Sequence, residues 1–410
     1  MKIAYLAPEL PALSATFVYN EILQLEKMGD DILPLSVRRP NPIAEDVALD
    51  RLKKNVVFVY ENKKYQVIIN HIALLIQKPV FYVKAFGFLI KDIITVGIFT
   101  RNALGLVYRY FYAACIADQL LKHKCLHIHA HFAHVPGDLA MYAATMAGVK
   151  FSITAHANDL FERGWLLREK IHRAVFLVTI SEFNKRFLVR LGGAAEKIRV
   201  IRCGIDFQAF PNRKDSALGQ VIKIGAVCRL VEKKGIDTLI RAVSILKKAE
   251  INVSLYIAGS GPLEAQLYQL TNELGLTKDD VRFLGALPHG QVSDFIHSLD
   301  MFILPCRRDK NGDMDGIPVA LMEAMAIGIP VISTVLSGIP ELIDDRETGL
   351  LTEPDDIDGL VTAMMALAKE GSLRARLIQN AANKIKTEFS LTANTLMLRD
   401  LIYSRCRSLS

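Results

Sequence analysis

Short apolar runs alternate with longer segments in which apolar positions return every three or four residues, and the alternation continues almost to the end of the chain. This pattern predicts βαβ units on parallel sheets, whose strands are covered on both faces and so read as near-continuous apolar runs. In the first half, strands are expected at 2–7 (KIAYLA), 31–37, 127–132 (HIHAHF), 150–155 (KFSITA), 176–180 and 198–202, with helices at 16–29, 103–123, 136–147, 166–173 and 182–191. The pattern lapses at 206–219, where Gly, Pro, Asn and Asp cluster, which predicts a linker. It resumes with strands at 221–227, 253–259, 280–285, 301–305, 330–334 and 349–353, and helices at 235–249, 262–274, 288–298, 317–327 and 355–369.

The chain is therefore expected to be α/β, with two Rossmann-like domains at 1–205 and 206–389 facing a central cleft. A last helix at 390–410 is expected to cross back onto the first domain. A length of 410 residues agrees, since it exceeds what one core usually serves. In open α/β sheets ligands bind beyond the carboxyl ends of the strands, which makes the cleft the place to look for chemistry.

Composition removes several alternatives. With 51% hydrophobic and 23% charged residues and no low-complexity tract, disordered and fibrous classes are excluded. The six cysteines are scattered without a C-x-x-C pair, which fits buried free thiols in a reducing compartment. MKIAYLAPELPALS reads as a strand rather than a secretory signal, so a cytoplasmic location is expected.

The net charge of +7 is local: residues 51–124 hold twelve Lys/Arg against three Asp/Glu. The same segment is greasy (YQVIINHIALLIQ, FYVKAFGFLIKDIITVGIF, ALGLVYRYFYAACIA), yet Lys78, Lys84, Lys91, Asp92, Arg101 and Arg109 interrupt it too often for a membrane span. Apolar faces with basic margins suit helices lying on an anionic bilayer; they also suit long core helices with solvated edges. A membrane surface is an expected partner and nucleic acid is not.

Three stretches carry candidate chemistry. In GAVCRLVEKKGID a strand ends at Val227, Arg229 and Lys234 follow in a basic loop, and Gly235 lets the backbone come close, an arrangement suited to diphosphate oxygens. YIAGSGPLE is a strand, a glycine turn and a helix; it is either part of a nucleotide loop or simply a tight turn. In DMDGIPVALMEAM, Gly316 and Pro318 mark a helix start, and Glu323 follows about two turns in, among Leu321, Met322, Ala324 and Met325. A carboxylate there is costly unless a polar ligand such as a ribose diol, or a neighbouring Arg, answers it.

Competing readings of these residues are weaker. A calcium loop is excluded because Met322 occupies its twelfth position and Pro318 lies within it. Asp313-Met314-Asp315 matches a metal-binding Asp-x-Asp only in a different setting. His127, His129 and His131 share one strand face, as metal ligands can, but no Cys or carboxylate accompanies them in sequence, so no metal is expected. His156 and Asp159, in TAHANDLF, fall just past a strand end, a position that favours substrate contact.

Together these motifs resemble the retaining glycosyltransferases of family 4, which have the GT-B fold. The resemblance rests on AHFAH near 130, TAHANDLF (154–161), ISEFN (180–184), CGIDFQAF (203–210), GAVCRLVEKKGID (225–237), IAGSGPLE (257–264) and DGIPVALMEAMAIGIPVISTVLSGIPELI (315–343). PALSATFVYNEILQLEKMG and GDMDGIPVALMEAMAIGIPVIST are most similar to enzymes of colanic acid and related exopolysaccharide biosynthesis.

The resemblance implies an acceptor domain followed by a nucleotide-sugar donor domain, with no cofactor or metal required. Arg229 and Lys234 match the pair that neutralises the donor diphosphate, and Glu323 the carboxylate that binds the ribose. Asp315 matches the first acid of the family's Glu-x7-Glu motif, one methylene shorter than the usual Glu, with Asp313 able to compensate. Gly316, Ile317 and Pro318 match the helix start facing phosphate and sugar. His156 matches the histidine near the donor sugar, and Leu284 lies in the loop lining the base.

Arg229, Lys234, Asp315 and His156 are thus the expected catalytic residues. Ser14, Thr16 and His131 are the acceptor candidates, although Leu13-Ser14 replaces the family's usual Gly-Gly. The implied reaction is hexose transfer from a UDP-hexose, with GDP-mannose or GDP-fucose as the alternative, to a polyprenyl-diphosphate-linked oligosaccharide. The enzyme would then be peripheral on the inner face of the plasma membrane. A nucleotide-sugar-binding regulatory module without turnover is the non-enzymatic alternative.

Overall fold

The computed structural model describes residues 1–12, 15–40, 47–210, 213 and 218–407. They form two compact units, Met1–Arg202 with Leu391–Ser410, and Cys203–Ser390. Ser14, one of the acceptor candidates, lies outside the described residues.

The first unit is built on a seven-stranded sheet in the order β3-β2-β1-β4-β5-β6-β7. Its strands are β1 (Lys2–Glu9), β2 (Asp31–Arg38), β3 (Val57–Phe58), β4 (His127–His131), β5 (Lys150–Ala155), β6 (Leu177–Thr179) and β7 (Ile198–Val200). All pairings are parallel. Parallel neighbours need crossovers, and the intervening helices supply them, which is why strand and helix patterns alternate in sequence. The two-residue β3 is too short for periodicity to reveal and was not expected.

The helix Leu391–Arg407 packs in this unit. Leu398 and Ile402 join the cluster around Ile3, Ile22 and Leu25. Arg399 pairs with Asp30 at 2.6 Å, so the attachment is polar as well as apolar.

Residues 51–124 contribute helices Lys64–Gln77, Pro79–Val96 and Arg101–Lys122. Leu74, Ala85, Leu89, Leu106 and Tyr110 face the core. Two of the charges that interrupt this segment turn inward: Asp92 is buried and chelated by Arg173 at 2.6 and 2.7 Å, and Arg109 pairs with buried Asp138 at 3.0 Å. The remaining face stays apolar and open to solvent, with Ile76, Val80, Val83, Ile94, Phe99 and Leu104 each more than 60% exposed. Lys63, Lys64, Lys84, Lys91 and Arg101 are exposed beside them. Among the described residues no helix is long and apolar enough to cross a membrane.

The second unit carries a six-stranded sheet in the order β10-β9-β8-β11-β12-β13. The strands are β8 (Ile222–Val227), β9 (Val253–Ala258), β10 (Val281–Gly285), β11 (Met301–Ile303), β12 (Val331–Thr334) and β13 (Leu350–Thr352). All pairings are again parallel. The central strands β8, β9 and β11 therefore end side by side, and the loops that follow them share one edge of the sheet. The helix Gly371–Glu388, absent from the sequence-based expectations, adds Leu377, Ala381 and Ile385 to the core.

Candidate active site

The loop after β8 is shaped by its glycine. Gly235 has φ +63°, and a Cβ on it would lie 2.0 Å from the Pro305 carbonyl, so neither the conformation nor the space admits a side chain. This close approach lays Lys233 and Lys234 beside the loop after β11. Lys234 Nζ is 2.7 Å from Asp315 Oδ2, and Lys233 Nζ is 2.7 Å from Asp313 Oδ2 and 3.6 Å from Asp315 Oδ1. The Cys306 thiol donates to Asp315 Oδ2 at 3.3 Å.

Burial works against both charges of the Lys234–Asp315 pair, but each overcomes it for the other: Lys234 is raised and Asp315 lowered from its ordinary value. Asp315 therefore stays ionised and holds Lys234 in place. Asp313, also buried, keeps one oxygen, Oδ1, without a partner among the described residues.

Arg229 projects from the same loop, exposed and with no side-chain partner among the described residues. The glycine turn after β9 braces this loop. Leu230 donates to the Ser260 carbonyl at 2.9 Å and Leu263 to the Leu230 carbonyl at 3.2 Å, while a Cβ on Gly259 would lie 1.8 Å from the Cys228 carbonyl. Of the two readings of IAGSGPLE, the packing turn is the one these contacts describe. Leu284 is 40% exposed near the end of β10, within the strand rather than in a loop.

The helix after Gly316-Ile317 begins at Val319, with Pro318 as its extended N-cap. Glu323 is its fifth residue, little more than one turn in rather than two. Residues Leu321–Ile327 are all buried, so the helix is a core element on every face. Glu323 is only 9% exposed and has no hydrogen bond or ion pair among the described residues. Burial alone pushes its carboxyl up to about 7. Among the described residues no Arg pairs with it.

Sequence patterns missed the strut that fixes these loops. Arg307 donates its backbone N–H to the Lys233 carbonyl at 2.9 Å and its Nε to the Glu232 carbonyl at 3.0 Å, while its guanidinium pairs with Asp237 at 3.0 Å and Asp355 at 2.8 Å. Its partners lie 48 to 75 positions away, and no local motif announces them.

In the first unit, His156 is the N-cap of helix Ala157–Phe161, at the end of β5. Asp159 Oδ1 accepts from the His156 N–H at 2.7 Å, and Asp159 Oδ2 accepts from the Ala133 N–H. The His156 ring packs against both Phe17 and Phe132, centroids 4.7 and 4.6 Å away. Thr16 opens helix Thr16–Lys27 next to Phe17 and is half-buried.

The alternating histidines of β4 are buried and engaged. His127 Nε2 and His129 Nδ1 both lie 2.7 Å from the Ser152 hydroxyl, and His129 Nε2 is 2.9 Å from Thr154 Oγ1. His131 Nε2 lies 2.9 Å from Glu21, so a carboxylate does accompany this group, brought by a helix far away in sequence. Glu21, His129 and His131 have ligand atoms within 4.8 Å of one another, but their ring nitrogens are already hydrogen-bonded. His131, an acceptor candidate, is 1% exposed.

Residues 14–209 match the family model described as Glycosyltransferase Family 4, and residues 210–384 the model described as Glycosyl transferases group 1. The described fold is similar to that of HepE from Anabaena, solved in complex with UDP-glucose, with a TM-score of 0.71 and 17% identity over 98% of this chain and all of that one. These define a glycosyltransferase of the GT-B fold.

The amylovoran biosynthesis glycosyltransferase AmsK of Erwinia amylovora is 29% identical over 407 residues, 95% of this chain and 96% of its own. WcaL of Escherichia coli K12, named for colanic acid biosynthesis, is 35% identical over 238 residues, 58% of this chain and 56% of its own. The chain belongs to glycosyltransferase family 4, among proteins of exopolysaccharide biosynthesis.

Proposed function

We propose that the chain transfers a hexose from a nucleotide diphosphate sugar to a lipid-linked oligosaccharide, with retention at the anomeric carbon, in assembly of a colanic acid-like exopolysaccharide. The observation that carries the donor half of this reading is Glu323. A buried carboxylate with no protein partner costs stability, and two adjacent ribose hydroxyls would repay it with charge-assisted hydrogen bonds.

The same sheet edge supplies what the leaving group requires. As the bond to the diphosphate breaks, negative charge grows on its oxygen. Arg229, Lys234 and the helix start after Gly316 stabilise that charge from fixed positions. Asp315 holds Lys234, and either Asp315 or Asp313 accepts hydroxyls of the sugar. Leu284 offers an apolar edge to the base. His156 is assigned to the sugar on the family resemblance alone, and Thr16 to the acceptor on the same ground.

UDP-hexose is the favoured donor and GDP-hexose the alternative. Melting curves with UDP, GDP and their sugars decide between them, because a ligand that binds only the folded state raises Tm. A rise with UDP compounds alone supports the reading; a rise with GDP compounds alone replaces the donor. Binding without turnover across lipid-linked acceptors would favour the regulatory module, and a product of inverted configuration would end the retaining assignment.

The apolar, lysine-margined face of residues 64–122 is read as the surface that meets an anionic bilayer, where a polyprenyl-linked acceptor resides. Co-sedimentation with phosphatidylglycerol-containing vesicles should fall as salt rises, and phosphatidylcholine vesicles should retain less protein. Equal retention on both would leave the charge without a role.

A further inference from the structure

The histidines of the first unit form a chain with a defined order of donors. Tyr5 Oη donates to Glu21 Oε1 at 2.6 Å, and His131 Nε2 lies 2.9 Å from the same oxygen. On the other side of the His131 ring, Nδ1 is 3.3 Å from His156 Nε2, and the two rings are stacked at 22°. The His156 ring also faces the Asp159 N–H, as part of the capping box that starts its helix. Glu21 comes from helix Thr16–Lys27, Tyr5 from β1, His131 from β4 and His156 from the end of β5, so four elements converge on one line.

Each ring nitrogen in this line has one role. An ionised carboxylate only accepts, so His131 must carry its proton on Nε2. A neutral His131 then has only a lone pair on Nδ1, and the facing His156 nitrogen must be the donor. The Asp159 N–H, which can only donate, faces a ring whose remaining nitrogen is a lone pair. The assignment is consistent from end to end with both rings neutral. Burial and the neighbouring His131 and His134 also disfavour charge on His156.

We propose that Glu21, acting through His131, is a positioning residue of the transferase: with the Asp159 N–H at the far end of the line it sets both rings as Nε2–H tautomers, and it holds His156 in place against Phe17 and Phe132. The kinetic part rests on the assignment of His156 to the donor sugar; the tautomer does not. The side chains facing the line are Tyr5 on β1, Phe17 on the helix of Glu21, His129 on β4, Thr154 on β5, and Phe132, His134 and Asp159 on the segments after β4 and β5.

The test is nitrogen NMR of the full chain labelled at the histidine rings, with kinetics of the Glu21 variants. In the parent protein at neutral pH, His131 and His156 should both show protonated Nε2 and bare Nδ1. Glu21→Ala should release the His131 end of the line, giving mixed tautomers at His131 while the Asp159 N–H keeps His156 Nδ1 bare, and about a tenfold loss of kcat with little change in donor KM. Glu21→Gln keeps a side-chain oxygen able to accept from both Tyr5 and His131, and should restore the tautomers and most of kcat.

A parent spectrum with His131 protonated on Nδ1, or on both nitrogens, overturns the proposal, and it does so even if Glu21→Ala fails to fold. Glu21→Gln behaving as Glu21→Ala overturns it in favour of a need for charge. Stoichiometric zinc uptake by the parent, lost in Glu21→Ala, overturns it in favour of a metal site at Glu21, His129 and His131. Released tautomers with unchanged kcat overturn the positioning role, and with it the assignment of His156 to the sugar, while leaving the donor site of the second unit untouched.

Discussion

The two sheet edges handle their buried charged groups and histidines in opposite ways, although Asn184, just past β6, also keeps both side-chain polar atoms unpartnered among the described residues. In the first unit, Asp159 accepts two backbone N–H groups and His129 has a hydroxyl on each ring nitrogen, while Glu21 takes donors from Tyr5 and His131. In the second unit, among the described residues, Glu323 is buried with no partner, Arg229 has no side-chain partner, and Asp313 keeps an orphan oxygen. Satisfied polar groups hold a fold together, whereas unsatisfied ones cost stability until something binds. The contrast divides residues whose replacement should cost stability from those whose replacement should cost ligand.

The largest expected effect falls on Lys234, the charge proposed to face the leaving group. Lys234→Ala should lower turnover by roughly 10²–10³-fold, the usual cost of removing one fixed stabilising donor, measured by initial rates on protein shown to be folded by circular dichroism. Undiminished turnover would remove Lys234 from the chemistry.

Glu323→Ala should weaken nucleotide-sugar binding about 10- to 100-fold, the equivalent of losing hydrogen bonds to a charged group, as read by titration calorimetry. Unchanged affinity would mean that the missing partner is not a ribose. Asp159→Ala should instead cost about 1–3 kcal/mol of stability by leaving buried N–H groups unpaired, visible as a lower Tm, while nucleotide affinity stays the same. A variant with lost affinity and intact Tm would erase the contrast between the edges.

The smallest effect is a pH dependence. Burial raises the Glu323 carboxyl from its ordinary value to about 7. Because the folded value lies above the unfolded one, the fold pays nothing below the ordinary glutamate range and the full penalty once pH exceeds about 7. Glu323→Gln should therefore raise the ligand-free Tm by a few degrees at alkaline pH and leave it unchanged in acid. In the parent, nucleotide-sugar affinity should rise as pH passes through about 7 and the carboxylate ionises.

The alternation of apolar runs and helical periods announced twelve of the thirteen strands among the described residues and the tandem α/β plan, because burial on both faces leaves a one-dimensional trace. Glu323 was legible for the same reason: a carboxylate among Leu321, Met322, Ala324 and Met325 breaks its own local pattern. Arg307 was not legible, since an arginine in a polar loop breaks nothing; its worth lies in carbonyls and carboxylates that only the folded loops bring near. Asp92 and Arg109 looked like interruptions of a greasy surface and proved to be its inward anchors, which composition along a line does not distinguish.

What the sequence determined by itself was therefore everything carried by period and by local contradiction: the fold class, the strand ends where chemistry collects, the cationic loop and the misplaced glutamate. Tertiary structure decided who answers whom. It paired Lys234 with Asp315 and left Glu323 without a partner among the described residues, and it drew Glu21 across 110 positions to His131, adding a carboxylate to a histidine face that sequence had shown without one. The reason is physical: burial is summed over neighbours along the chain and leaves a periodic record, whereas a hydrogen bond depends on two atoms whose separation in sequence is arbitrary.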